Sequence, residues 1–258
     1  MGKTALITGA TSGIGYEMAK ILAEKAYDLI LVSRNKKKLS LIKEDFQAKY
    51  GVGVGYIEMD LSVPNAANMV YEKLKDDKTD IEILINNSGF ANYGEHTSIS
   101  IKENYELLQL NIIALTEMCS LFGMEMKKRN SGMILNIAST AAYQPTPYFA
   151  SYGASKSYVL NFSEALSKEL EDFNVSVSCL SPGPTETNFF TVAKINDIDN
   201  KHLSKRMSAK KVAEIGINAL FNKKISVIPS LKSRLLVFAN RFASRGMVAS
   251  ISKNIMKS

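Results

Sequence analysis

Ser139, Tyr152 and Lys156 are the residues of this chain whose types and spacing best suit proton transfer. On a helix, Tyr152 and Lys156 lie four positions apart and share a face, which sets the ammonium beside the phenol. A free tyrosine titrates near pH ~10, and bringing it to ~7 requires roughly 4 kcal/mol of preference for the phenolate. A unit positive charge about 4 Å away supplies about that much at an effective dielectric near 20. The spacing therefore predicts a phenol acidified by its lysine, able to give a proton to a carbonyl oxygen or take one from an alcohol. Ser139, a neutral hydroxyl from another segment, would hold the same oxygen. Spacing alone is weak grounds, because Tyr71 and Lys75 repeat it, and that copy is expected to be a solvated helix face.

The elements that would position these groups alternate along the chain. Residues 3 to 8 form a short apolar strand that opens into Gly9-Ala10-Thr11-Ser12-Gly13-Ile14-Gly15 and then a helical pattern through Met18, Ile21 and Leu22. Amides at such a helix start are unsatisfied donors at a positive dipole end, so the loop can hold a pyrophosphate, and glycine permits its close approach. A strand over 27 to 33 ends at Ser33-Arg34-Asn35, followed by Lys36, Lys37 and Lys38, with no acid until Glu44. At this place an acid selects a free ribose 2′-hydroxyl and an arginine accommodates a 2′-phosphate, so Arg34 predicts NADP(H) over NAD(H).

A helix over 35 to 49 leads to a strand over 53 to 59 that ends at Asp60-Leu61, where Asp60 either meets an adenine amino group or caps the next element. A helix over 64 to 77 and a strand over 81 to 85 precede Asn86-Asn87-Ser88-Gly89, small and amide residues that suit close backbone approach to a ligand and equally suit a turn. Residues 101 to 129 read as one long helix in which Asn111, among apolar neighbours, needs hydrogen-bond partners: a local backbone group or a water. A strand over 133 to 138 delivers Ser139, a helix over 150 to 172 carries Tyr152 and Lys156, and a strand over 175 to 180 ends in Ser181-Pro182-Gly183-Pro184-Thr185-Glu186-Thr187, a proline-rich loop. A helix over 209 to 222 and a strand over 225 to 228 complete the alternation. Such alternation predicts an α/β fold with a parallel sheet covered on both faces. Every polar residue singled out falls at the carboxyl ends of strands or on the adjoining helices, the side where such sheets bind ligands.

At 258 residues the chain predicts one Rossmann-type domain over 1 to 230, with a basic helical extension over 231 to 258. Cys119 and Cys179, both in apolar surroundings, read as reduced core thiols. A strand beginning at Lys3 and the absence of any run of 18 apolar residues predict a cytoplasmic protein without a leader or a membrane span. The net charge of +7 resides in the tail, where no acid follows Glu214 while Lys223, Lys224, Lys232, Arg234, Arg241, Arg245, Lys253 and Lys257 are all basic.

Taken together, these motifs resemble the short-chain dehydrogenase/reductase family over nearly the whole chain. Thr8-Gly9-x-x-x-Gly13-Ile14-Gly15 is similar to the family's cofactor loop, and Asn86-Asn87-Ser88-Gly89 to its Asn-Asn-Ala-Gly motif with serine for alanine. Asn111, Ser139, Tyr152 and Lys156 fall at the family's catalytic tetrad, and Pro182-Gly183 with Thr187 at its nicotinamide-side loop. The resemblance implies Tyr152 as acid/base, Ser139 as the group orienting the carbonyl, Lys156 lowering the tyrosine pKa and holding the nicotinamide ribose, and Asn111 anchoring a water that relays protons. It also implies a doubly wound seven-stranded sheet in the order 3-2-1-4-5-6-7 and an oligomer, dimer or tetramer. The cofactor contacts expected on this basis are Gly9, Thr11, Ser12, Gly13, Ile14, Gly15, Ser33, Arg34, Asn35, Asp60, Leu61, Asn87, Ser88, Gly89, Tyr152, Lys156, Pro182, Gly183, Thr185 and Thr187.

Residues 188 to 208 would overhang the nicotinamide, with Phe189 and Phe190 forming either an apolar substrate face or a lid packed on the core. The expected substrate is an apolar ketone or 3-oxoacyl compound. His202 reads as a surface residue, and His96 has no ligand-spaced companions, so no metal is expected. In the tail, Leu231, Leu235, Phe238 and Phe242 form a helical stripe among cations, continued by Met247, Val248, Ile251 and Ile255. That stripe would cover the cleft or make a subunit contact, the favoured readings, or lie on an anionic membrane. Two rival functions are a catalytically silent NADP sensor, which would not need the tetrad, and a nucleic-acid binder, which would need interleaved exposed aromatics that the tail lacks.

Overall fold

The computed structural model describes residues 3–189, 193 and 206–256. Its strands are β1 Thr4–Thr8, β2 Asp28–Ser33, β3 Val54–Glu58, β4 Ile81–Asn86, β5 Gly132–Ile137, β6 Val175–Leu180, the short β7 Thr185–Glu186 and β8 Met207–Ser208, and β9 Ser226–Val227. Its α-helices are α1 Gly13–Glu24, α2 Lys36–Tyr50, α3 Ala66–Asp76, α4 Ile101–Leu108, α5 Leu115–Arg129, α6 Ala150–Leu170, α7 Ala209–Phe221, α8 Leu231–Ala239 and α9 Arg245–Met256.

Seven strands form one parallel sheet in the order β3-β2-β1-β4-β5-β6-β9, the expected order, with β9 as its seventh member. The central strands are near-continuous apolar runs because both faces are covered. Leu6, Leu84 and Ile134 point into one core with α3, α5 and α6, whereas Ala5, Ile7, Ile83, Ile85 and Leu135 point into the other with α1, α2 and α7. The order reverses where β1 pairs with both β2 and β4, and there the carboxyl ends of the strands part to leave a crevice.

Local chemistry sets the helix ends. The side chain of Asn35 accepts the Lys38 amide at 3.0 Å to start α2, and Gly51, at φ 68°, ends it in the left-handed region that glycine tolerates best. Ser100 and Glu103 form a reciprocal capping box at the start of α4.

Three expectations need correction. The stretch 101 to 129 is not one regular helix: a π-helical turn, Gln109–Ala114, joins α4 to α5 and carries Asn111. Thr185–Glu186, expected as pure loop, pairs with Met207–Ser208, because the Pro184 carbonyl accepts the Met207 amide at 3.2 Å and brings the two segments side by side. Tyr71 is buried rather than solvated, and its hydroxyl donates to Glu125 at 2.9 Å. By length and a mean hydropathy of 1.5, the span Ile101–Arg129 could cross a membrane, yet half of that window is buried inside the molecule.

Candidate active site

Tyr152 and Lys156 stand in the first turns of α6, and Ser139 follows β5, so two elements deliver the three groups to one cleft of about 440 Å³. A cleft of this size suits a small organic ligand. Its floor includes Ile137, Ala138 and Ser139, and its walls include the β1–α1 loop, Ser88–Phe90, Phe149, Pro182–Thr185 and Phe189.

Ser139 accepts the Ala141 amide at 3.1 Å and lies 3.5 Å from the Pro182 carbonyl. The Lys156 ammonium is buried, donates to the Ile137 carbonyl at 2.8 Å and stands 5.8 Å from the centre of the Tyr152 ring. Burial pushes the Tyr152 phenol up to about 12, against a hydrogen bond with Ser139 that acts in the lowering direction. Burial likewise pulls Lys156 down to about 8, with the nearby Cys179 acting weakly the other way. In this geometry the phenol is thus shifted upward, opposite to the expected acidification. Burial disfavours phenolate and ammonium alike. At neutral pH the phenol is protonated, the form that donates.

The other end of the cleft is built on β1 and α1. Gly9, at φ 66°, would place a Cβ 2.8 Å from Asn87 Nδ2. A Cβ on Gly15 would meet the same nitrogen at 2.4 Å and the Gly9 carbonyl oxygen at 2.5 Å. Both glycines are required because Asn87 Nδ2 donates into the turn, to the Thr8 and Gly9 carbonyls at 3.0 and 3.2 Å. Thr8 completes the lock: its Oγ1 accepts the Asn87 and Ser88 amides at 2.9 and 3.0 Å. The first turn of α1 contains no acid and its N-cap Ser12 makes no side-chain cap, so its free amides suit an anionic group. At the far rim, Thr11 and Ser33 share a hydroxyl contact of 3.1 Å, and Arg34 extends outward, 3.7 Å from Asp60. Burial acts to raise Asp60, but hydrogen bonds from Ser62 and the Arg34 charge outweigh it and hold the carboxyl below its ordinary range. Anion-ready amides at one end and a phenol at the opposite end fit a nicotinamide dinucleotide laid along the cleft.

Most of the residues expected at the site border this cleft: Gly9, Thr11, Ser12, Gly13, Ile14, Ser33, Arg34, Asp60, Leu61, Asn87, Ser88, Gly89, Ser139, Tyr152, Lys156, Pro182, Gly183, Thr185 and Thr187. Gly15, Asn35 and Asn111 do not. Gly15 acts through its lack of a side chain, and Asn35 is occupied in capping α2. Asn111, 1% exposed, donates to the Phe90 carbonyl at 3.0 Å and Ser155 Oγ at 3.1 Å and accepts the Phe90 amide at 3.2 Å. Asn111 thus meets backbone groups of Phe90, and this side chain ties the β4 loop to α6. Phe190, His202 and most of the 188 to 208 loop lie outside the described residues.

Sequence reasoning missed Thr8 as an organiser, and of the aromatic wall it anticipated Phe189 but not Phe149 or Tyr93. Phe149 and Phe189 stand 6.2 and 5.4 Å from the Tyr152 ring, and Tyr93 stands 5.0 Å from Phe149. The tail reaches the cleft through α9. Ile255 and Met256 border it, and the Tyr93 hydroxyl donates to the Met256 carbonyl at 2.7 Å. The tail's expected role as cleft cover holds for this end only, since the stripe from Leu231 to Phe242 faces solvent. Cys119 and Cys179 are buried free thiols, and burial pushes each up to about 12.

The short chain dehydrogenase profile matches residues 3–197. A very-long-chain 3-oxoacyl-CoA reductase of Pyrenophora tritici-repentis is 37% identical over 183 residues, 69% of this chain and 54% of that protein. A protein from Pongo abelii named inactive hydroxysteroid dehydrogenase-like protein 1 is 36% identical over 184 residues, 70% of this chain and 55% of its own length. The chain thus spans about half the length of these curated relatives. A short-chain dehydrogenase from Sphingobium yanoikuyae, solved in complex with NADPH, superposes with a TM-score of 0.85 at 30% identity, covering 95% of this chain and 94% of that one. Motifs, sheet order and these matches agree that the chain belongs to the short-chain dehydrogenase/reductase family of oxidoreductases.

Proposed function

We propose that this protein is an NADP(H)-dependent reductase that interconverts an apolar ketone or 3-oxoacyl compound and its secondary alcohol, with Tyr152 as the acid/base. The observation that carries this reading is the meeting of Ser139 and Tyr152, from different elements, opposite an anion-ready glycine loop. The bound dinucleotide would supply or accept the hydride. The Gly9–Ile14 loop and the α1 amides would hold its phosphates, Arg34 its 2′-phosphate, and Lys156 its nicotinamide ribose. Ser139 would orient the substrate carbonyl, and the protonated Tyr152 hydroxyl would donate to its oxygen. In the alcohol-oxidising direction the same oxygen, as phenolate, would take the proton from the alcohol.

Phe149 and Phe189 beside the phenol, with Phe90 and Met256 on the rim, support an apolar substrate. The name of the fungal relative supports a 3-oxoacyl compound. The test is NADPH oxidation with aryl ketones, steroid ketones, 3-oxoacyl thioesters and sugars. Saturable turnover of an apolar carbonyl supports the reading. A relative named inactive keeps a second reading in view, that of a silent NADP-binding protein, for which NADPH binds but no carbonyl in the panel turns over.

A further inference from the structure

We propose that α8 and α9 dock this protein on the surface of an anionic lipid bilayer. Leu231, Leu235, Leu236 and Phe238 of α8 are 70, 62, 58 and 54% exposed, and Phe242 just beyond is 79% exposed. A surface that faces only water rarely gathers so many adjacent large apolar side chains. On α9, Met247 and Ile251 are likewise exposed, while Val248 and Ser252, about a quarter-turn round the helix, are buried and hold it to the body. The helix is therefore anchored by one side and offers the adjoining one. Lys232, Arg234, Arg241, Arg245 and Lys253 are all exposed along the same segment, and no acid follows Glu214. Apolar side chains flanked by cations are what a helix lying in a lipid headgroup layer presents.

The charge decides between occupants. A second copy seated on this face would set one acid-free basic segment against another, and like charges across a two-fold contact oppose association. Anionic headgroups supply the opposite sign, and each basic side chain near them raises the partition coefficient about fivefold. The face is also continuous with the cleft, because α9 ends at Ile255 and Met256 on its rim. On the reductase reading, on which this one consequence rests, an apolar carbonyl dissolved in the bilayer would reach Tyr152 from that edge.

The test is cosedimentation of the full chain with vesicles of phosphatidylcholine alone and of phosphatidylcholine with phosphatidylserine, at low and high salt. The expected result is binding to the serine-containing vesicles that weakens with salt. Arg241→Gln should lower the partition about fivefold. Leu235→Glu with Phe242→Glu should lower it more than tenfold while melting temperature and NADPH binding stay at wild-type values. Three results would overturn the proposal: no binding to anionic vesicles, wild-type binding by the double variant, or a dimer in solution that the double substitution disperses without any vesicle binding. Vesicle binding is read without turnover, so its outcome and that of the carbonyl panel are separate.

Discussion

Replacing Thr8 by valine tests whether the cleft is organised from the end of β1. The substitution keeps the branched shape and removes only Oγ1, which accepts the Asn87 and Ser88 amides at 2.9 and 3.0 Å. Thr8 itself is 2% exposed, so the space left by the hydroxyl is closed to water from its own side. An orphaned buried N–H costs about 1–3 kcal/mol, and because the donors belong to half-buried residues the low end applies. Two such donors give a loss of about 2 kcal/mol, which for a domain of this size lowers the melting temperature by roughly 4–8 °C. The segment they belong to also borders the cleft, so NADPH affinity should fall with stability. Thr8→Ser restores the acceptor and should recover most of both. Denaturant titration and NADPH fluorescence read the two quantities. A valine variant within about 0.5 kcal/mol of wild type, with unchanged NADPH binding, would refute the reasoning.

Arg34→Asp should weaken NADPH binding by at least about tenfold and shift the preference towards NADH, because the change removes the cation that borders the cleft after β2 and adds a repelling charge; equal NADPH affinity in the variant would count against a 2′-phosphate contact. Lys156 makes stability pH-dependent in a defined sense. Its folded value of about 8 lies below the ordinary 10.5, so between these values the unfolded chain binds a proton that the folded chain does not, and the lysine's contribution rises with pH across that window. The full swing is about 3 kcal/mol at roughly 1.36 kcal/mol per unit. Lys156→Met should remove that slope, while the Ile137 carbonyl it leaves without its donor adds an offset that does not vary with pH. Parallel stability curves for the two proteins from pH 7.5 to 10.5 would show that the lysine is not depressed.

The strand-and-helix alternation was legible because each central strand is a short apolar run bounded by turn residues, and the glycine loop because β1 leads straight into it. The two Tyr-x-x-x-Lys pairs show where spacing stops informing. Lys75 lies 5.8 Å from the Tyr71 ring, as Lys156 does from Tyr152. Surroundings separate the pairs: Tyr71 is satisfied by Glu125 on a neighbouring helix, whereas Tyr152 meets Ser139 and opens on the cleft. The upward shift of Tyr152 was not legible either, since a sequence reports the charge four residues away but not the burial around the phenol. Asn111 signalled its need for partners but not which ones, because Phe90 and Ser155 reach it through the π-helical turn. The reach of α9 to the cleft depends on a contact between Tyr93 and Met256, 163 positions apart, which no local pattern encodes.

The central claim, that the phenol of residue 152 is the proton donor to a carbonyl held beside a dinucleotide, is met most directly by Tyr152→Phe. The aromatic contacts with Phe149 and Phe189 need only the ring, so fold and NADPH binding should persist while steady-state NADPH oxidation with the best carbonyl of the panel falls by about 10²–10⁴. A variant that binds NADPH and still turns over at more than about a tenth of the wild-type rate would contradict the account, since general acid catalysis would then come from another group.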